Sequence, residues 1–286
     1  MNLRWLLLPL ALAACTGTSP ETPPAAPAAP EAPAAPVVPA APETPTLNLA
    51  DLQSQASMDA MVPSPAEAQK ALQNAGLSSS LYKLTEGRDF KVSVSDKDEV
   101  AVRSGVVLAH VVLCAKEAPT ARLTSQLGEL KTGLTILGGS PRILATVDDL
   151  SARIANNAAS RDDIVREMDE LANVSVTDAD ATLPDRALPL LRAGAWLEGA
   201  WLVTAAITAE GKYDAATTLL RQPGVVSYFH DYLYGPGKEV VPGALSKDLE
   251  STLKTLGEIT AKETLGQADV TAIHAATDGL LSKLRE

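Results

Sequence analysis

Prolines 24, 27, 30, 33, 36, 39, 42 and 45 recur every third residue, with little but Ala, Glu, Thr and Val between them. Polyproline II has three residues per turn, so this spacing lines one side of an extended left-handed rod. Nothing large and apolar is available there to bury, so the segment builds no core. From Pro20 to Pro45 the rod would reach on the order of 80 Å at ~3.1 Å per residue. The regular Ala-Ala-Pro filler offers a Pro-binding module few distinctive side chains, which favours a spacer over a recognition segment. Residues 15–47 are therefore expected to be a linker, and the folded body is confined to 48–286. Roughly 240 residues suffice for one substantial core or two small ones.

The body reads as helix almost throughout, and the fold class expected is all-α, a multi-helix bundle. Ser64-Pro65-Ala66-Glu67 is a capping box with proline at the first helical position,. It opens a helix that ends near Gly76. Leu123, Leu127, Leu130, Leu134 and Leu137 alternate steps of four and three, which is one stripe of an amphipathic helix,. Gly138-Gly139 stops that helix, and Ser140-Pro141 starts the next, with Leu144, Val147, Leu150 and Ile154 on its stripe. Ser160 with Asp163 opens a further one. Shorter helices are expected near 212–221 and 224–234, and longer ones near 243–264 and 267–285. Phe90-Lys91-Val92-Ser93-Val94 alternates like a strand, but a lone strand has no partner, so a loop is expected.

Two segments are apolar on every face, the mark of helices buried on most sides. One runs through Gly105-Val106-Val107-Leu108-Ala109-His110-Val111-Val112-Leu113, capped by Asp96 or Asp98. A buried strand is the rival there, because valine is frequent. The other runs from Ala187 to Ala209, interrupted by Arg192 and Glu198. A charge at a bilayer centre costs at least ~2.5 kcal/mol, so a central bundle helix is expected and not a membrane span. A buried Glu198 must be paired, hydrogen-bonded or neutral, and His110 is its candidate partner. The two would form a structural polar pair or line a ligand pocket. Gly194 and Gly199 each cost the helix about 1 kcal/mol, which implies close helix approach.

Other candidates are weaker. Cys114 sits in Val111-Val112-Leu113-Cys114-Ala115 and is expected to be a buried small hydrophobe and not a reactive thiol,. Asp178 and Asp180 begin like a calcium loop, but Leu183 and Pro189 stand where its glycine and glutamate belong,. A single histidine among Tyr228, Phe229 and Tyr232 is a weak ligand set, so His230 is expected at a core edge,. The sequence holds no His-Glu-x-x-His, Gly-x-Ser-x-Gly, Cys-x-x-Cys or phosphate-cradling glycine loop,. The expectation is a non-enzymatic chain with no cofactor and no metal.

The N-terminus carries an address. Arg4 precedes an apolar run from Trp5 to Leu12, too short to span a bilayer, and then Leu12-Ala13-Ala14-Cys15,. This resembles the signal peptide and lipobox of bacterial lipoproteins. The resemblance implies cleavage after residue 14 and diacylation of Cys15, with two or more chains making a stable anchor. Thr16 and Gly17 follow in place of an aspartate, which in that family implies the outer membrane, with the body facing the periplasm. Gly194-Ala195-Trp196-Leu197-Glu198-Gly199 resembles the Gly-x-Trp-x-Glu-Gly run of a family of helical bacterial lipoproteins of unknown function. Ser104-Gly105-Val106-Val107-Leu108-Ala109-His110-Val111 stands where that family has a Leu-Gly-Val-Tyr-x-x-Asp-Leu helix. Val107 and His110 replace its Tyr and Asp.

The net charge of −11 becomes one unit more negative without Arg4. That excludes nucleic acid and anionic membrane faces as partners, since both need basic patches. The expected partners are the membrane, through the N-terminal lipid, and an envelope protein. The expected role is a non-catalytic structural or interaction module, with a small-ligand or lipid carrier as the alternative.

Overall fold

Capping and glycine signals place several of the helix ends. The computed structural model describes residues 62–77, 81–174, 187–234 and 243–285, all within the unit Leu47–Glu286. Cys15, the expected spacer, and Asp178 with Asp180 lie outside the described residues. Among those described are eleven α-helices, one 3-10 turn and no strand. The body is an all-α bundle.

Helix α1 (Pro65–Asn74) carries the capping box, with Ser64 and Glu67 bonding reciprocally, and Gly76 takes a positive φ after it. A four-residue helix, α2 (Leu81–Leu84), follows. Residues 90–94 form no regular element, and the Val94 N–H turns back to the Val92 carbonyl. Side chains take the place of a neighbouring strand there: the Arg103 guanidinium donates to the Lys91 carbonyl, and the Val92 N–H donates to Glu129. Phe90 and Val92 point inward, which explains the alternation.

Helix α3 (Lys97–Cys114) is capped by Asp96, and every residue from Val100 to Ala115 is buried. Helix α4 (Thr120–Leu137) buries all five leucines of its stripe and stops at left-handed Gly138. Helices α5 (Pro141–Ala155) and α6 (Arg161–Val174) start at Ser140 and Ser160 as their sequences imply. Helix α7 (Ala187–Glu210) is the one described helix long and apolar enough to cross a membrane, yet 83% of that stretch is buried within the fold. A 3-10 turn (Tyr213–Ala215) and α8 (Ala216–Leu220) share the region expected to be one helix. Then come α9 (Pro223–Tyr234), α10 (Ala244–Thr260) and α11 (Gln267–Lys283).

The centre is the pair α3 and α7, which make the most extensive helix contact of the fold. Their backbones meet at two glycines. A Cβ on Gly105 would lie 1.8 Å from the Leu191 carbonyl oxygen, and one on Gly194 would lie 2.1 Å from that of Val102. On its other side α3 packs against α4, where Ser104 faces Gly133. Helices α5 and α4 continue that side, while α11, α10 and α9 follow one another outward from α7. Helix α1 rests on α3, α6, α7 and α8. It is held by buried Gln69, whose amide donates to the carbonyls of Val112 and Leu113 at the end of α3.

Candidate functional site

The two faces of α7 carry different things. One face meets α3 and holds the fully buried Glu198. The candidate partner named from the sequence is in reach: His110 Nε2 lies 2.6 Å from Glu198 Oε1, both side chains almost wholly buried. Arg88, from the segment after α2, supplies a cation that the sequence reading missed. Its Nη2 donates to Glu198 Oε2 at 3.1 Å and its Nη1 to Asp278 Oδ1 at 3.1 Å. Gln126 on α4 places its amide nitrogen 3.2 Å from His110 Nδ1. When that amide donates, the imidazole proton sits on Nε2 and is donated to Glu198. The Trp201 indole donates to Asp278, and the Arg88 guanidinium lies 3.5 Å over the Trp201 ring, a close cation–π contact,.

Burial pushes the Glu198 carboxyl up, but the His110 ring and the Arg88 guanidinium together outweigh it and hold the group below the usual carboxylate range,. The network therefore runs from a solvent-free carboxylate to Asp278, whose side chain is 41% exposed. It ties α3, α4, α7, α11 and the 85–90 segment together. Arg88 Nε and Gln126 Oε1 stay buried without a partner among the described residues. Of the other histidines, His274 stacks near Trp201 and meets the Thr204 hydroxyl at 2.9 Å. His230 is exposed, beside Tyr234 and Asp231, while Tyr228, Phe229 and Trp196 form the buried aromatic group. The core-edge position expected for His230 is thus corrected: helical spacing turns it away from its apolar neighbours. No group of three or more potential metal ligands exists among the described residues. Cys114 is buried beside the Thr85 hydroxyl, and burial pushes its thiol up to about 12.

The second face of α7 carries Ala195, Trp196, Gly199, Ala200 and Val203, a helical stripe that borders a cavity of about 310 Å³. Helix α1 contributes Ala68 and Ala71, and α8, α10 and α11 contribute Leu219, Leu256 and Ile273. Exposed Glu67 and Thr218 stand at its rim. Neither His110 nor Glu198 borders it, so of the two roles considered for that pair the polar contact is present and the pocket lies elsewhere. The reason is geometric: positions 198 and 199 are about 100° apart on a helix, so Glu198 faces α3 while Gly199 faces α1. The reading of Gly199 as a close-approach residue is corrected too. Gly194 fits that role, whereas a Cβ on Gly199 would meet nothing within 4 Å. The indole N–H of Trp196 donates to Gln222 Oε1 at 2.8 Å. Thr260 also borders the cavity, and its buried hydroxyl has no hydrogen-bond partner among the described residues.

No protein-family model matches the chain, and no curated protein or solved structure matches it either.

Proposed function

We propose that this is a lipid-anchored envelope protein, a member of the helical lipoprotein group its Gly-x-Trp-x-Glu-Gly run resembles, whose body binds and does not catalyse. The observation that carries the proposal is the fate of the charged core residues. Arg88, His110, Glu198 and Gln126 pair with one another across four elements and act as a clamp. Both Glu198 carboxylate oxygens and both His110 ring nitrogens are engaged within the fold, and the neighbouring Arg88 favours the ionised form of Glu198. The lipobox at Cys15 and the proline rod supply the tether in this reading, and an envelope protein is the partner. The test is metabolic labelling with radioactive palmitate in a Gram-negative host, followed by membrane fractionation. Wild type should carry label and sediment with the outer membrane, and Cys15→Ala should do neither. Unlabelled, soluble wild-type protein would overturn the anchor, and with it the envelope role.

A second reading, a small-ligand carrier, is favoured by one specific observation: the 310 Å³ cavity on the other face of α7. Its size is at the lower end of ligand pockets, roughly 300–1,000 Å³.

A further inference from the structure

Resting on the carrier reading, we propose that this cavity takes an uncharged amphiphile. The ligand would have an apolar body and a single hydroxyl or carbonyl, about a dozen non-hydrogen atoms in all, with its polar atom paired to Thr260.

The size follows from comparison. An apolar cavity of about 150 Å³ holds one benzene, and this one is about twice that,. The walls are mostly aliphatic and aromatic, with the Trp196 ring as the largest flat surface and Gln222 bonded to its indole. The polar anchor is singled out by its neighbours. On α10 and α11 the hydroxyls of Thr252, Thr255, Thr271 and Thr277 each donate to a backbone carbonyl of their own helix. Thr260, on the same α10 and 2% exposed, has no such bond. A buried hydroxyl without a partner costs free energy that a ligand atom would recover.

Gly199 is the second observation. Mid-helix glycine costs about 1 kcal/mol relative to alanine, and glycines are tolerated where backbones touch. Gly105 and Gly194 have that reason and Gly199 does not, since its missing Cβ faces open space in the cavity wall. Its absent side chain keeps the chamber wide beside Trp196. Charge sets the ligand class. Among the described residues no Lys, Arg or His borders the cavity, and the carboxylate at its rim, Glu67, is already bonded to the Ser64 N–H. A fatty carboxylate or a phosphate would enter without a counter-ion, and an alkylammonium would find its only carboxylate engaged in a helix cap.

The test uses the full chain bearing Cys15→Ala, purified without detergent, and isothermal titration calorimetry with four probes: toluene, octan-1-ol, octanoate and octylammonium. Octan-1-ol and toluene should bind, and the two ions should bind at least tenfold more weakly than octan-1-ol. Thr260→Val should weaken octan-1-ol roughly fivefold, the share of one neutral hydrogen bond, and leave toluene unchanged. Gly199→Leu should abolish both, with thermal melts confirming that each variant is folded. If Gly199→Leu does not fold, the Thr260→Val contrast still decides. Failure of both toluene and octan-1-ol to bind would overturn the carrier reading itself. Toluene binding accompanied by equal octanoate affinity, or by indifference of octan-1-ol to Thr260→Val, would overturn the ligand class alone.

Discussion

Replacing Glu198 by alanine should be among the most damaging single changes in this protein. The variant removes the acceptor of His110 Nε2 and of Arg88 Nη2. Arg88, 4% exposed, is left buried with Asp278 as its remaining carboxylate. Breaking one member of a buried ion pair costs about 3–5 kcal/mol, because the stranded charge has no water to return to. A domain of this size has a total stability of about 5–15 kcal/mol. With 2–4 °C lost per kcal/mol, the melting temperature should fall by roughly 6–20 °C. Glu198→Gln keeps the shape but not the charge, and should lose less. The pH dependence gives an independent check of sign. The folded carboxyl titrates below its unfolded value, so its stabilisation is complete above about pH 5 and is lost as pH falls through the depressed folded value,. Urea melts monitored by circular dichroism between pH 7 and pH 3 should show wild type losing stability across that window more steeply than Glu198→Gln. A Glu198→Ala loss under 1 kcal/mol, or identical pH slopes for wild type and Glu198→Gln, would refute the clamp.

Two further outcomes follow from the glycines and the cysteine. Gly105→Ala forces a Cβ into the Leu191 carbonyl and should cost more than ~3 kcal/mol, whereas Gly199→Ala has room and should raise stability by up to ~1 kcal/mol,; thermal melts of the two variants side by side read the contrast. Cys114, with its thiol pushed up to about 12 and its side chain buried, should resist a maleimide at pH 7 in the native state and react on unfolding in urea, as read by mass spectrometry,. Rapid native labelling at that residue would show that the α3 core opens.

Much of the fold was legible because it is written locally. Ser64, Ser140 and Ser160 with their followers fix helix starts, Gly76 and Gly138 follow helix ends, and the leucines of α4 mark its buried stripe. The all-round apolar character of α3 and α7 announced their central place. The Glu198–His110 contact was legible for a physical reason: a carboxylate in an apolar helix needs a partner, and few polar residues lie on the facing helix. Gln126 was legible in principle, since it falls between Leu123 and Leu130 on the buried stripe. Arg88 was not. It lies in an irregular segment with no period to reveal its direction, and only the fold carries it to α7. The cavity was invisible for a related reason. Empty space between α1, α7 and α10 depends on how residues more than a hundred positions apart meet. Its single sequence trace, Gly199, looks the same as Gly194 until the neighbouring backbone is in view.

Helix α7 has one solid face and one hollow one. A crystal of the protein pressurised with xenon tests it directly, since xenon enters dry apolar cavities and not packed polar seams. Anomalous density should appear beside Trp196, Gly199 and Thr260, with none between His110 and Glu198. An unoccupied α1–α7 cavity, or a gas atom or water wedged between His110 and Glu198, would contradict it.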